Sequence, residues 1–286
     1  VSEGFRCLVC RADAARPVWL GCPDYYLGKP FVTDYHRCLS CRLLQQHPPP
    51  PDVSAFYEDY PVHGPKSPLY DWVRWLVMSR LYFDTSGLPR GARLLDYGCG
   101  DGSYLETQRG RGLALTGYEA DVAQARRLTD RLSLPVHSDL EPLLAEAEGT
   151  MDALTMHFVV EHLTDLDAGF EAARRLLKVE GRFYFVVPHE ESLEARLFGR
   201  KWHNLDPPRH VSFPVPAHVQ DLAARHGFLL ERHAPAAFPN GFAASIPVVL
   251  SGRFRFPLFA LALPFGLLFS RLCPTGVRAY WLRRLP

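Results

Sequence analysis

A chain of 286 residues has room for one large domain or for a core domain with a small attachment. Its apolar fraction of 47% and charged fraction of 22% are those of a soluble globular protein, and a formal net charge of +1 argues against a protein that grips a long stretch of nucleic acid. The opening "VSEGFRCLVC" has no apolar export signal, so the seven cysteines are expected as reduced thiols or metal ligands in a cytoplasmic protein.

Residues 1–47 hold five of those cysteines, many aromatics and no amphipathic helix. "CLVC" and "CLSC" place Cys7, Cys10, Cys38 and Cys41 in two C-x-x-C knuckles. Each knuckle can present two thiolates to one tetrahedral ion, and four thiolates suit Zn2+. The separation exceeds that of the commonest zinc ribbon, and a hairpin over "PDYYLGKPFVTDYH" would absorb it. Four protein ligands leave no open position, so the metal is expected to be structural; the other use of such knuckles is a redox dithiol. Cys22, Cys99 and Cys273 read as ordinary small residues.

"HPPPPD", His47–Asp52, is a stiff extended spacer and closes this module. Residues 48–90 then form a linker and a helix, with Leu69, Trp72, Val73, Leu76, Val77, Leu81 and Tyr82 at helical spacing. Ser67 is its expected N-cap, Pro68 its first turn and Gly87 its stop.

From there the text alternates strands with helices, which implies a parallel sheet covered on both faces. The strands expected are Arg93–Tyr97, Ala114–Glu119, Pro135–Ser138, Met151–His157 and Arg182–Val187, with helices such as Asp167–Lys178 between them. The first strand runs into "DYGCGDG", where Asp96 precedes Gly98, Gly100 and Gly102. A strand, a glycine turn and a helix make a site for an adenine-containing cofactor. The dinucleotide fingerprint is G-x-G-x-x-G, which receives a pyrophosphate; here the spacing is G-x-G-x-G beside a carboxylate. A carboxylate repels a pyrophosphate but attracts a sulfonium and an ammonium, which favours S-adenosyl-L-methionine over NAD. Glu119 follows about 20 residues after the glycines, where a carboxylate accepts ribose hydroxyls.

The residues after the fourth strand carry the candidates for proton transfer. "VVEHL" offers Glu161 and His162 at the end of the sheet where ligands bind. His162 as base with Glu161 as orienter is one reading; Glu161 on the substrate, or His162 as a helix cap, are others. His210 in "DPPRH" is the rival base, on a loop where Arg209 pairs with Asp206 or with a substrate carboxylate or phosphate.

The tail, Pro235–Pro286, has no Asp or Glu and six arginines, Arg253, Arg255, Arg271, Arg278, Arg283 and Arg284. Its run "FPLFALALPFGLLF" is too short for a comfortable membrane span and is broken by Pro257 and Pro264. One reading is a peripheral contact with anionic lipid through 254–273, or a lid over a greasy substrate. The other is a helical hairpin packed on the sheet or in a dimer interface.

These motifs together resemble the class I S-adenosylmethionine-dependent methyltransferases, over roughly Asp52–Pro286. "LLDYGCGDG" is similar to their first motif, "GYEAD" to the acidic second one, "MDALTMHFVVEHLTD" to the fourth strand with its loop, and "LLKVEGRFYFVVP" to the fifth. "KVEGRF" departs from the family's Lys-Pro-Gly-Gly, with Val179 and Glu180 expected in a turn. "SLEARLFGRKWHNLDPPRHVSFP", Ser192–Pro214, resembles a bacterial subgroup that modifies small molecules and envelope glycans, carrying an F-G-R-x-W-x-x-L-D-P-P-R-H loop. "FYEDY" resembles an aromatic element that closes over the cofactor, which implies a role for Tyr57. The resemblance further implies Asp139 and Leu140 near the adenine and His157 near the methionine portion. It implies a Rossmann-like, doubly wound α/β sheet of seven strands over 91–286, with "AARHGFLLERHA" and "GVRAYWLRR" supplying the last helix and last two strands and with 242–274 as an insertion between those strands. An N-terminal zinc module also precedes some sugar C-methyltransferases. The expected activity is C- or O-methyl transfer to a small-molecule acceptor: a sugar, a glycan-linked metabolite, a natural product, or a lipid or quinone. An RNA methyltransferase and a non-catalytic zinc-ribbon scaffold are the alternatives, the N-P-P-Y signature of nucleobase amino methylation is absent, and the chain is expected as a monomer or homodimer.

Overall fold

The computed structural model describes residues 4–50, 75, 77–273 and 276–286. Tyr57, Ser67 and Pro68 lie outside the described residues. Strand β4 (Arg93–Tyr97) is buried at all but its first position, as a strand covered on both faces must be. Beside it lie β5 (Ala114–Tyr118), β6 (Val136–His137), β7 (Met151–His157) and β8 (Leu177–Pro188), all parallel. Near the C-terminus, β10 (Phe228–Ala236) and β11 (Val277–Arg284) complete a seven-stranded sheet of order β10-β11-β8-β7-β4-β5-β6, in which β11 runs antiparallel to both neighbours. The doubly wound α/β expectation holds.

Helices cover both faces. Side chains from α1 (Ser103–Gln108) and α2 (Val122–Leu132) join Leu94, Tyr184 and Val186 on one face. Those from α3 (Leu140–Ala147), α4 (Leu166–Leu176) and α6 (Pro216–Arg225) join Leu95, Phe183 and Phe185 on the other. The alternation Phe183/Tyr184/Phe185/Val186 along β8 is the period-two rule dividing one strand between two cores.

The helix expected to stop at Gly87 instead tightens to a 3-10 turn at Ser79–Leu81 and becomes extended at Tyr82. Leu81 is fully buried, and the Tyr184 hydroxyl donates to its carbonyl at 2.6 Å, which anchors that end. Val179 and Glu180 do not form a separate turn. They lie in a bulge of β8, where the pairing jumps from Met151–Leu177 to Ala153–Arg182 and Glu180 takes φ 65°.

A second sheet is formed by β1 (Ala15–Pro23), β2 (Val32–Cys38), β3 (Leu44–Gln46) and β9 (Ser212–Phe213), all antiparallel. Its fourth strand comes from the D-P-P-R-H loop, so the N-terminal residues and that loop share one core of Cys22, Tyr35, Leu44, Trp202, Leu205 and Phe213. The expected hairpin over 23–36 is present as β1 and β2 with their connection.

The tail insertion is a helical hairpin, α7 (Pro239–Ser251) and α8 (Phe256–Leu272). The prolines do not break the apolar run. Pro257 occupies the first turn, where an N–H would have no partner, and α8 continues through Pro264 with one backbone bond forgone. The hairpin is closed by Phe242 stacked on Phe269 at 4.3 Å, while α7 lies against α5 (Leu193–Phe198) and the turns at 199–205.

Candidate active site

The sheet order reverses beside β4, and open α/β sheets bind ligands outside the carboxyl ends of the strands at such a switch point. The glycine turn lies there. Gly98, Gly100 and Gly102 have φ of 71°, 55° and 71°. A Cβ on Gly98 would lie 2.6 Å from Val159 Cγ2, so that glycine is required by space as well as by backbone conformation. The amides of Gly98 and Cys99 donate to the Tyr118 carbonyl at 2.8 and 2.9 Å. Glu119 accepts from the Gly100 amide on Oε2 at 2.9 Å and from the Asp121 amide on Oε1 at 3.1 Å. Burial pushes its carboxyl above the usual range despite those bonds. Each oxygen keeps a lone pair for a further donor such as a hydroxyl.

Asp96 is buried, and its Oδ1 accepts from the Thr155 hydroxyl at 2.7 Å. His157 Nδ1 lies 3.2 Å from the same oxygen, while its Nε2 accepts from the Phe83 amide at 3.4 Å. These partners put the ring proton on Nδ1. Rings of Tyr82, Tyr104 and Tyr184 surround His157 with centroids at 5.4, 4.4 and 5.6 Å. Sequence reasoning missed Thr155, although its spacing of two from His157 puts both on one face of β7 and its register sets it beside Asp96. Asp139 is the N-cap of α3, accepting from the Glu141 amide at 3.2 Å, and Leu140 packs at the edge of the core. Bare backbone, a buried carboxylate and a second one at the next strand end fit a cofactor with positive charge and a ribose.

The residues flanking β7 form the other half of the site. Phe158 has φ 57°, a conformation a bulky residue adopts only when its surroundings impose it, and the chain then turns through Val160–His162. Glu161 is fully buried, and neither carboxylate oxygen has a hydrogen-bond partner among the described residues. Burial pushes its carboxyl well above the usual range. His162 Nδ1 lies 2.8 Å from the Arg209 carbonyl and His210 Nδ1 2.7 Å from the Asn204 carbonyl. A carbonyl only accepts, so a neutral His210 carries its proton on Nδ1 and its lone pair on Nε2, while His162 donates to the Arg209 carbonyl from Nδ1. His210 Nε2 lies 3.9 Å from Glu161 Oε1, and the two rings meet edge to face at 4.7 Å. Val211 donates its amide to the Glu161 carbonyl at 2.7 Å, which stitches the two segments together. Burial lowers both imidazoles, His210 to about 3, with His162 adding to the effect. The two rival bases are therefore neighbours. His162 does not cap the following helix: α4 is capped by Asp165, which accepts from the Ala168 amide at 3.1 Å.

Arg209 is wholly buried and grips two carboxylates. Its Nε and one terminal nitrogen donate to Asp206 at 2.8 and 2.6 Å, and both terminal nitrogens donate to Asp24 at 3.1 and 2.8 Å. The pairing with Asp206 matches expectation; a substrate anion as the alternative partner does not, since Asp24 of the N-terminal segment takes that place. These carboxylates hold the guanidinium above its ordinary pKa, and Arg209 in turn helps hold Asp206 down to about 2 despite burial.

The four knuckle cysteines come together, with Sγ distances of 3.4 Å for Cys7–Cys41 and 3.6 Å for Cys10–Cys38 and all four within 4.8 Å. Zinc–thiolate bonds of about 2.3 Å in a tetrahedron space the sulfurs by roughly 3.8 Å, so this cluster fits the ion. Gln45 braces the first knuckle, accepting from the Leu8 amide at 2.9 Å and donating to the Arg6 carbonyl at 3.0 Å.

The sheet order and the glycine turn define a methyltransferase-type α/β fold. Residues 76–233 match the family model described as a methyltransferase domain, and the chain belongs to that family. It is 30% identical over 173 residues to an uncharacterized 37.1 kDa protein in transposon TN4556 of Streptomyces fradiae, covering 58% of this chain and 47% of that protein. It is 32% identical over 128 residues to the ubiquinone biosynthesis O-methyltransferase of Xanthomonas axonopodis pv. citri, covering 42% of this chain and 52% of the relative. The chain thus spans about half the length of the curated relatives it matches. Among solved structures, a chain of the Haloferax volcanii complex between the Trm112 methyltransferase activator and a methyltransferase has TM-score 0.55 at 17% identity, covering 81% of this chain and 97% of that one. A SAM-dependent methyltransferase from Archaeoglobus fulgidus has TM-score 0.50 at 16% identity, covering 80% and 98%. At these identities the structures share the fold alone.

Proposed function

We propose that this chain transfers a methyl group from S-adenosylmethionine to a small-molecule acceptor. The observation that carries the reading is the glycine turn with Asp96 and Glu119 at the switch point of the sheet. Gly98, Gly100 and Gly102 would let the cofactor approach the backbone, Glu119 would accept its ribose hydroxyls, and Asp96 would face its amino-acid portion. Asp139, Leu140, His157 and, outside the described residues, Tyr57 complete the proposed cofactor set. The bound cofactor supplies a methyl group on a positively charged sulfur, so the protein's task is to hold acceptor and donor in line. Thr155 and His157 fix the Asp96 carboxylate, and the Tyr82 and Tyr104 rings pack around His157. A hydroxyl or carbon acceptor must also lose a proton, and the Glu161–His162–His210 cluster is the proposed place where it is handled.

The four cysteines are proposed to hold a structural Zn2+, and the apolar hairpin is proposed to set a lipid-like acceptor at a membrane surface. No helix among the described residues is long and apolar enough to cross a membrane. The acceptor class is tested with methyl-labelled S-adenosylmethionine and extract of the source cell, fractionated into organic, aqueous-metabolite and macromolecular pools. Label in the organic pool is the expected outcome. Aqueous label would redirect the proposal to sugars and natural products, label in RNA would overturn the small-molecule acceptor, and no label in any pool would overturn methyl transfer.

A further inference from the structure

We propose that Glu161, His162 and His210 form a second metal site, for a divalent first-row transition ion, distinct from the cysteine cluster. One ligand atom from each residue lies within 4.8 Å of the other two. The pattern around the imidazoles is that of metal-binding histidines: each ring is fixed by a bond from Nδ1 to a backbone carbonyl, Arg209 for His162 and Asn204 for His210. Such carbonyl partners fix the rings, and His210 turns its Nε2 to Glu161 Oε1 at 3.9 Å. The independent observation is Glu161. Its side chain is fully buried beside those rings, and neither oxygen has a hydrogen-bond partner among the described residues. A buried polar group left unsatisfied is destabilising, more so when charged, and so calls for a reason.

Two imidazoles and one carboxylate suit zinc, iron, cobalt or manganese better than magnesium or calcium, which take oxygen ligands. Ligand atoms about 2.1 Å from one ion stand roughly 3.0–3.4 Å apart, so loading would draw the segments after β7 and before β9 inward by about 1 Å. Three protein ligands leave positions for water or for an oxygen of the acceptor. The role in acceptor binding rests on the methyltransferase reading; metal binding itself does not.

The test uses the full chain loaded with a single equivalent of zinc, which the four thiolates take in preference to the nitrogen and oxygen ligands, and then titrated with Co2+ alone. The expected result is one cobalt per chain beyond zinc, by elemental analysis, with visible d–d bands and no sulfur charge-transfer band. Glu161→Gln keeps the shape and removes the charge, and should weaken cobalt binding at least tenfold, as should His162→Ala. Circular dichroism and S-adenosylhomocysteine calorimetry on each variant report whether the fold persists. No extra cobalt in the wild type, cobalt seen only through sulfur charge transfer, or unchanged binding in a folded Glu161→Gln would each overturn the site. S-adenosylhomocysteine binding without cobalt binding would end the metal proposal alone, whereas cobalt binding without S-adenosylhomocysteine binding would end the cofactor reading alone.

Discussion

Glu194 is a carboxylate that the sequence gives no reason to notice, at the second position of α5 in an unremarkable "SLEARL". In the fold it is 1% exposed, with the Trp202 indole as its hydrogen-bond donor at 3.4 Å and with Gly241 and Gly276 packed against its oxygens. Burial pushes its carboxyl up to about 7. A folded-state value above the unfolded one means that stability present below about pH 4.5 is lost as pH rises through about 7. The penalty at high pH is on the order of 3 kcal/mol. Glu194→Gln keeps an acceptor for Trp202 and cannot ionise. In urea unfolding it should be more stable than wild type at pH 8, by up to that amount, and equal to it at pH 4.5. An equal difference at both pH values would remove burial of the charge as the cause. By contrast, Asp96, the glycines and Glu119 were legible because their spacing is local: a strand, a turn and the next strand end. Asp24 was not, since its partner Arg209 lies 185 positions away and only the fold brings them together.

At the scale of elements, strands were read to within a residue or two where a buried run ends in a turn, as at β4 and β7. The tail was read less well, because prolines that look like breakers sit where α8 tolerates them. What composition could not say is which face of α8 is covered. Its buried positions are Ala262, Gly266 and Ser270, and a Cβ on Gly266 would lie 2.6 Å from the Pro239 carbonyl oxygen. Its large residues point outward: Leu261 is 72% exposed, Phe265 65%, Leu268 58% and Leu272 73%. Those four recur at spacings of four and three, which is one helical face. A packing element would bury Leu and Phe and expose the small residues, so this face is proposed to meet a partner that supplies the apolar surroundings. Arg253, Arg255 and Arg271 near the ends of α8, in a tail without acids, favour anionic headgroups as that partner. The full chain should co-sediment with vesicles of phosphatidylglycerol. Replacing Leu261, Phe265 and Leu268 together by Ser, which leaves the α7 contact intact, should abolish it. Absence of wild-type sedimentation, or a dimer that the triple substitution dissociates, would assign the face to protein.

Across the whole molecule, the two sheets are not independent. The loop that carries His210 supplies the fourth strand of the N-terminal sheet, and three further ties hold it there. The Tyr35 hydroxyl lies 2.9 Å from the His210 carbonyl, Gln46 donates to the Pro208 carbonyl at 2.8 Å, and Arg209 is clamped between Asp24 and Asp206. Breaking a buried ion pair by removing one partner costs about 3–5 kcal/mol, so the clamp transmits order from one sheet to the other. The knuckle Cys38 ends β2, and Cys41 offers its carbonyl to His218 of α6 at 2.8 Å. Zinc at the cysteines would thereby set the position of His210, although the metal and the glycine turn occupy different parts of the fold. Replacing Cys7 and Cys10 by Ser, which removes two zinc ligands and leaves the Glu161 cluster untouched, should lower the thermal midpoint and abolish turnover, while S-adenosylhomocysteine affinity changes little, because Asp96, Gly98 and Glu119 are held by the larger sheet. Asp24→Ala should reproduce that split with zinc still bound. Parallel loss of cofactor affinity and turnover in both experiments would mean that the metal supports the entire fold; unchanged turnover in both would mean that the N-terminal sheet does not position His210 at all.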